Sequence, residues 1–248
     1  RYYGRHTKRI SRSIVPNLFT LANLFCGFSA IIAISDGKFF DAGLFILFAG
    51  IFDALDGFVA RLTRSASPLG VQLDSLCDAT SFGVAPSFLL YEVCLQHSHT
   101  FGILLASIPA LAGVFRLARF NVELTSLEDK KYFTGMPIPA GALTVVSYVL
   151  FFGLNTSGTL FSQSIDGALV GIIVGLTMVS RIKYDNLPRP SLKGLKESPL
   201  AYILFIILCG SVLFTKGYTL FPFMVLYMVF GASRHIYNTI IKTKKKAK

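Results

Sequence analysis

Long apolar stretches alternate with short polar interruptions along almost the whole length of this 248-residue chain. Most of the stretches have the length, about 17 to 25 residues, that a helix needs to cross the hydrocarbon core of a bilayer. The pattern therefore predicts an all-α chain, a polytopic bundle of about eight transmembrane helices. The predicted spans cover residues 14–35, 39–62, 68–93, 101–120, 137–154, 165–179, 199–214 and 220–241.

The composition also indicates that lipid is the solvent. The chain is 53% hydrophobic and only 15% charged, whereas about a quarter of the residues in soluble domains are charged. Its mean hydropathy is +0.60. The spans leave no room for a separate soluble domain, so we expect residues 14–241 to form one transmembrane domain. Basic segments flank it at residues 1–13 and 242–248, and we interpret both as contacts with lipid head groups.

The distribution of positive charge predicts the orientation in the membrane. All but two of the 24 Lys and Arg residues fall on one side of the eight-span arrangement, and the exceptions are Lys38 and Lys216. Because Lys and Arg are retained on the cytoplasmic side, both termini are expected in the cytoplasm. The net charge of +11 lies beside membrane spans, where anionic lipid is a nearer partner than nucleic acid. We therefore expect no nucleic-acid partner.

Four aspartates lie inside the second and third predicted spans, namely Asp53, Asp56, Asp74 and Asp78. An ionised Asp near the middle of a membrane helix costs roughly 2.5 to 3.5 kcal/mol, so four together require compensation or a function. Residues three or four apart share one face of a helix. Both pairs lie within about three turns of the hairpin that joins the two spans. The four carboxylates are therefore expected to converge at one depth, near the cytoplasmic side.

This acidic cluster has the chemistry of a site for hard cations. Oxygen ligands without nearby His or Cys suit Mg²⁺ or Mn²⁺, and two divalent ions would balance four carboxylates. Such ions stabilise the charge of phosphoryl transfer, and a carboxylate free of metal can take a proton from an attacking hydroxyl. The alternative is the cation or proton pathway of a transporter. A relay should extend across the bilayer, so clustering at one depth favours phosphoryl transfer.

The same segment carries a specific motif. It reads D-A-L-D-G-F-V-A-R from Asp53 to Arg61, with Gly70, Asp74 and Asp78 after it. At every fixed position this resembles the signature of CDP-alcohol phosphatidyltransferases, D-x2-D-G-x2-A-R-x8-G-x3-D-x3-D. The resemblance implies transfer from a CDP-linked lipid to an alcohol, with release of CMP. The roles it implies are metal binding by Asp53, Asp56, Asp74 and in part Asp78, proton abstraction by Asp78, and a CDP-lipid site lined by Gly57, Ala60, Arg61 and Gly70.

Three other segments resemble the membrane-embedded phosphatidylserine synthases of that family. They are P-N-L-F-T-L-A-N-L-F-C-G from Pro16, R-L-A-R-F-N from Arg116 and F-T-G-M-P-I-P-A from Phe133. They imply CDP-diacylglycerol and L-serine as substrates and a homodimer as the assembly. Transfer to another alcohol, such as glycerol 3-phosphate or an inositol phosphate, is the alternative. Whether the lipid carries acyl or ether-linked isoprenoid chains stays open.

Polar residues recur along one side of the first span, at Asn17, Thr20 and Asn23. They could contact the nucleotide or the acidic hairpin, and we assign Asn17 and Thr20 to the CDP-lipid site. Hydrogen bonds between helices would explain them equally well.

The fourth span ends with candidates for binding the acceptor, Arg116, Arg119 and Asn121. The two arginines share a face and could present guanidinium donors to a carboxylate or a phosphate. Snorkelling toward the interface is the alternative interpretation. With these residues the catalytic part falls within residues 14–154, followed by further spans over 165–241. We expect an integral protein of a prokaryotic cell membrane whose active site faces the cytoplasm.

Overall fold

The computed structural model of the protein describes residues 14–63, 65, 67–125, 133–154, 160–184, 210–211, 214–215 and 217–246. The N-terminal basic segment, Lys216 and almost all of the predicted seventh span lie outside these residues. Within them the chain is helical, apart from short connections and one two-residue β-ladder. The predicted all-α fold is confirmed at this level.

The described helices follow the predicted spans closely. The α-helices are α1 (Ile14–Ser35), α2 (Phe39–Thr63), α3 (Pro68–Asp78), α4 (Ala85–Leu90), α5 (His99–Thr125), α6 (Ile138–Tyr148), α7 (Leu160–Val179) and α8 (Leu220–Lys246). Three π-helical segments, Ala79–Val84, Tyr91–Leu95 and Val149–Gly153, extend α3, α4 and α6, and a 3₁₀ turn covers Gln96–Ser98. Single π-helical turns are rare and are frequent at functional sites, and the first of these begins directly after Asp78.

Helices α1 and α2 form an antiparallel hairpin. Gly37 lies in the connection with a φ of +72°, a left-handed conformation that glycine adopts without steric cost. Small residues let the two backbones approach closely, and Ala30 and Ala49 have no exposed surface. The outer faces carry large exposed apolar side chains such as Phe25 and Phe28. These faces suit contact with lipid chains.

Helical segments follow one another directly from residue 68 to residue 125, and the chain folds back on itself between them as a second hairpin. The reversal is at His99, whose φ of +47° is uncommon for a residue other than glycine. Beyond it, the backbone N–H of Ala110 donates to the Ser87 hydroxyl at 3.1 Å. This contact places the two arms side by side. The arms correspond to the predicted third and fourth spans.

Among the described residues, three helical stretches are long and apolar enough to cross a membrane. They are Ile14–Ser35, Phe39–Thr63 and the run Pro68–Val122, which contains both arms of the second hairpin. Ile138–Gly153 and Gln163–Val179 are apolar but shorter. The chain is therefore a membrane protein by the length and composition of its helices. The count of eight spans and the cytoplasmic termini stay predictions.

A short β-ladder joins the segments before α6 and after α7. Strand β1 (Phe133–Thr134) pairs antiparallel with β2 (Lys183–Tyr184). After β1, Gly135 has a φ of +85° and its N–H donates to the carbonyl of Ile182 at 2.8 Å. Two residues are too few to show the alternation by which a strand is predicted, so the sequence pattern missed this ladder. It ties α6 to α7 at the end of the bundle where α5 also ends.

Candidate active site

Three carboxylates converge where α2 ends and α3 begins. One oxygen each from Asp53, Asp56 and Asp74 lies within 4.8 Å of the others. Asp53 and Asp56 share a face in the last turns of α2, and Asp74 lies in the second turn of α3. Helix α1 packs against both α2 and α3, so it holds the two acidic faces together. The predicted convergence is confirmed for these three residues, which we call the carboxylate triad.

Two buried polar side chains of α1 contact the acidic hairpin. The Thr20 hydroxyl donates a hydrogen bond to Oδ2 of Asp56 at 2.8 Å, and Nδ2 of Asn23 donates to Oδ1 of Asp78 at 3.0 Å. Asp56 and Asp78 are each only 7% exposed, so these bonds replace part of the hydration that burial removes. Contact with the hairpin and hydrogen bonding between helices, two of the interpretations of this side of α1, are both observed in these bonds. Binding of CDP-lipid by Thr20 stays a prediction.

Asp78 is set apart from the triad. It is the last residue of α3, and the π-helical segment Ala79–Val84 begins directly after it. It interacts electrostatically with Asp53 and Asp74 but does not belong to the group whose oxygens all lie within 4.8 Å. This position beside the triad suits a proton acceptor. Metal binding by Asp78 stays a prediction.

The triad fits a divalent cation. Oδ1 of Asp74 is buried and has no hydrogen-bond donor among the residues that the structure describes. A buried carboxylate oxygen without a donor is costly unless a cation compensates it. A ligand set made only of carboxylates suits Mg²⁺ or Mn²⁺ rather than zinc. The residues are therefore chemically suited to the predicted metals.

On α2, Gly57 and Arg61 are neighbours one turn apart. A β-carbon on Gly57 would lie 3.3 Å from Nη1 of Arg61, so the guanidinium folds back over the glycine. Ala60 follows Asp56 by four residues and therefore lies on the same face of α2. The structure thus places all three predicted CDP-lipid residues of α2 within about one turn of the triad.

The N-terminus of α3 lies against α1. Ser67 caps the helix and accepts a hydrogen bond from the N–H of Gly70 at 3.1 Å, as a serine directly before a proline at the first helical position can do. A β-carbon on Gly70 would lie 3.5 Å from Oδ1 of Asn17. Asn17 and Gly70, both predicted to bind the CDP-lipid, are therefore adjacent.

The two arginines of α5 have different surroundings. Arg116 is only 6% exposed and interacts electrostatically with Asp78. Arg119 donates to the carbonyl of Val179, the last residue of α7, at 3.0 Å and to that of the following residue, Ser180, at 3.4 Å. Basic side chains often bind carbonyls at a helix C-terminus in this way. Arg116 is therefore adjacent to the site, whereas Arg119 joins α5 to α7.

Asn121 connects α5 to the acidic helix α3. Its Nδ2 donates to the Ser75 hydroxyl at 2.9 Å, and Ser75 lies between Asp74 and Asp78. Ser75 was not among the predicted site residues, and its position between two aspartates is the one sequence signal for it. The predicted acceptor residue Asn121 is thus held against α3.

Residues 13–180 match the CDP-alcohol phosphatidyltransferase family. The chain belongs to this family. The matched region of this CDP-alcohol phosphatidyltransferase runs from the start of α1 to the end of α7 and contains the triad, Asp78, Asn23 and Arg116. The resemblance found in the motif is confirmed by a match over most of the chain.

Curated relatives cover most of this CDP-alcohol phosphatidyltransferase. It is 35% identical over 226 residues to a CDP-diacylglycerol–serine O-phosphatidyltransferase of Helicobacter pylori, covering 90% of this chain and 92% of the relative. It is also 35% identical to a protein of the same name from Bacillus subtilis, covering 74% of this chain and 96% of the relative. An archaetidylserine synthase of Methanothermobacter thermautotrophicus is 37% identical over 72% of this chain and 73% of its own length. About a quarter of this chain therefore has no counterpart in the Bacillus relative.

Proposed function

We propose that this protein transfers the phosphatidyl group of CDP-diacylglycerol to the hydroxyl of L-serine, giving phosphatidylserine and CMP. The observation that carries the proposal is the buried Asp78 beside the carboxylate triad, in a family member whose matched relatives are named for transfer to serine. The triad supports metal-assisted phosphoryl transfer. The names of the relatives support serine as the acceptor.

The triad residues Asp53, Asp56 and Asp74 would hold the divalent cations, Mg²⁺ or Mn²⁺ and two in number. Bound there, the cations would neutralise the charge that develops on the phosphoryl oxygens. The protein supplies the carboxylates from two helices and holds them close together before the substrates bind. Such preorganisation avoids the cost of gathering like charges during the reaction.

Asp78 acts as the general base. Its carboxylate takes the proton of the serine hydroxyl while the hydroxyl oxygen forms a bond to the phosphorus that bears the diacylglycerol. The bond between this phosphorus and the oxygen of CMP breaks, and its electron pair leaves with CMP. The proton is then on Asp78 and the electron pair on CMP, so the step needs no further reactant.

The CDP-lipid is bound at the hairpin end of the bundle. We assign its site to Gly57, Ala60 and Arg61 on α2, Gly70 on α3, and Asn17 with Thr20 on α1. The guanidinium of Arg61 suits a phosphate. The lack of a β-carbon at Gly57 lets this guanidinium lie close to the backbone of α2, and the lack of one at Gly70 lets Asn17 lie close to α3. The lipid chains stay among the apolar outer faces of the helices while the nucleotide lies toward the cytoplasm.

The acceptor is bound from the side of α5. Arg116 is buried and interacts with Asp78, so its guanidinium can pair with the serine carboxylate while the serine hydroxyl faces the base. Arg119 and Asn121, assigned to the same site, hold α5 against α7 and α3 and so orient Arg116.

For Arg116→Gln we expect the KM for serine to rise by about 10- to 100-fold, because a charge-assisted pair to the substrate is lost. The KM for CDP-diacylglycerol should change little. Initial rates of CMP release, with each substrate varied in turn, measure both values. Equal increases in the two KM values would place Arg116 in the nucleotide site instead.

The proposed function is tested by CMP release from the purified protein in detergent–lipid micelles. CDP-diacylglycerol and Mn²⁺ or Mg²⁺ are supplied with serine, with glycerol 3-phosphate, with inositol phosphate, or with no acceptor. We expect release with serine alone and its loss on chelation. Release with another acceptor would show that the acceptor is not serine, while transfer from a CDP-linked lipid would still hold. A parallel assay with the ether-linked archaeal lipid distinguishes the two lipid types named among the relatives.

We also propose that the protein lies in a prokaryotic cell membrane with eight spans, both termini and the active site in the cytoplasm, and that it forms a homodimer. The asymmetric distribution of Lys and Arg supports the orientation. Residues 1–13 and 242–248 would be basic interfacial segments around one transmembrane domain. Accessibility of cysteines introduced beside Lys38 and in the C-terminal tail, probed from outside intact cells, tests the orientation.

A further inference from the structure

The side chain of Asn23 is a fully buried polar group near the site. The residue has no exposed surface, so it cannot reach a substrate from its position inside the bundle. Its Nδ2 donates to Oδ1 of Asp78 at 3.0 Å, across 55 residues of sequence. Any influence of Asn23 on the reaction therefore passes through Asp78.

The backbone around Asn23 is held firmly against the segment that follows Asp78. The Ser81 hydroxyl donates to the carbonyl of Asn23 at 3.0 Å. One turn further along α1, a β-carbon on Gly27 would lie only 2.8 Å from Cα of Ser81, so α1 and the π-helical segment are in close backbone contact. The position from which Asn23 reaches Asp78 is thus well determined.

The side-chain amide of Asn23 lacks part of its hydrogen bonding, which is unfavourable for a residue whose role is packing alone. Its Oδ1 is buried without a hydrogen-bond donor among the described residues. Leaving such an atom unpaired costs about 1 to 3 kcal/mol, and an apolar residue of the same size would avoid that cost. Among the residues that the structure describes, the one hydrogen bond that the side-chain amide makes is the donation to Asp78. This arrangement favours a role for that contact beyond packing.

We propose that Asn23 is a positioning residue for Asp78, which orients the carboxylate so that Oδ2 receives the proton of the acceptor hydroxyl. The amide N–H donates to Oδ1 and cannot accept a proton, so Oδ1 is engaged and Oδ2 stays available. The contact also holds Asp78 beside the triad instead of within it. This inference rests on the proposed function, in which Asp78 is the base.

Two substitutions test the inference. Asn23→Ala removes the side chain, and Asn23→Leu replaces it with an apolar side chain of similar size that fills the space without a donor. We expect both to lower kcat by about 10- to 100-fold, since the base is no longer oriented. The KM values for serine and CDP-diacylglycerol should stay within about threefold, because neither substrate touches Asn23. Metal dependence should also be unchanged.

Ser81→Ala is the matched control. It removes a hydrogen bond across the same contact between α1 and the π-helical segment but leaves the Asn23 amide in place. We expect a lower thermal stability in micelles with kcat within about twofold of the wild type. A kcat loss in Ser81→Ala as large as that in Asn23→Ala would show that packing alone is responsible. Wild-type kcat in Asn23→Leu would equally overturn the proposal.

The acceptor panel separates this inference from the proposed function. If the wild type releases CMP with glycerol 3-phosphate instead of serine, the assignment of the acceptor is wrong, and the kcat comparison for Asn23 is made with that acceptor. If the Asn23 variants have the kcat of the wild type with that acceptor, the positioning role of Asn23 is rejected, while phosphatidyl transfer itself is not. Absence of CMP release with every acceptor would reject both proposals.

Discussion

The Asp78→Asn variant is expected to have a turnover rate lower by about 10²- to 10⁴-fold, the contribution of a general base. Its affinity for CDP-diacylglycerol should be close to that of the wild type. The amide has almost the shape of the carboxylate but cannot take a proton. Because Asp78 lies outside the triad, its neutralisation should leave the binding of metal and nucleotide largely intact. CMP release gives the turnover, and binding of radiolabelled CDP-diacylglycerol to the purified variant gives the affinity.

Asp166→Asn is the control for this variant, since Asp166 is an exposed acid on α7 outside the cluster. It should turn over like the wild type. Near-normal turnover of Asp78→Asn would exclude Asp78 as the base. Loss of CDP-diacylglycerol binding together with turnover would instead make Asp78 a ligand of the metals.

The Asp74→Asn variant is expected to weaken metal binding by about 100-fold or more. Substitution of residues that only support metal ligands already costs about 10- to 100-fold in affinity, and Asp74 would be a ligand itself. Its Oδ1 has no donor among the described residues, so a bound cation would compensate this buried oxygen. CMP release titrated with Mn²⁺, together with the EPR signal of free Mn²⁺, measures the shift.

Asp41→Asn is the control for the charge change, because Asp41 is an exposed residue in the first turn of α2, at the end opposite the triad. Its metal titration should match that of the wild type. Excess Mn²⁺ should restore part of the activity of Asp74→Asn but none of that of Asp78→Asn. An unchanged titration of Asp74→Asn would remove Asp74 from the metal site.

The core of the site could be predicted because its spacing is local. Asp53 and Asp56 are three residues apart and Asp74 and Asp78 four apart, so helical periodicity alone places each pair on one face. A short polar turn between two apolar stretches predicts a helical hairpin, which brings the two pairs of aspartates opposite each other. Helix α3 also begins at Pro68, where the third span was predicted to start. Each of these conclusions depends on residues that are close in sequence.

The partners of the carboxylates could not be predicted in the same way. Asn23 donates to Asp78, and Asn121 donates to Ser75 across 46 residues. Periodicity shows that such residues face a helix neighbour, but it does not identify the neighbour or the depth at which the two meet. Arg119 illustrates the limit, since it shares a face with Arg116 yet donates to the carbonyl of Val179 at the end of α7.

By itself the sequence determined that the chain lies in lipid, that its elements are helices, that its carboxylates gather at one end, and that its motif belongs to one family. Each conclusion follows from hydrophobic length, from helical period or from residue identity, which are properties of continuous segments. Only the tertiary structure decided how close the oxygens of the triad lie to one another, and that Asn23 donates a hydrogen bond to Asp78. These facts depend on how α1 packs against α2 and α3, because close packing between distant segments sets the distances at which side chains meet.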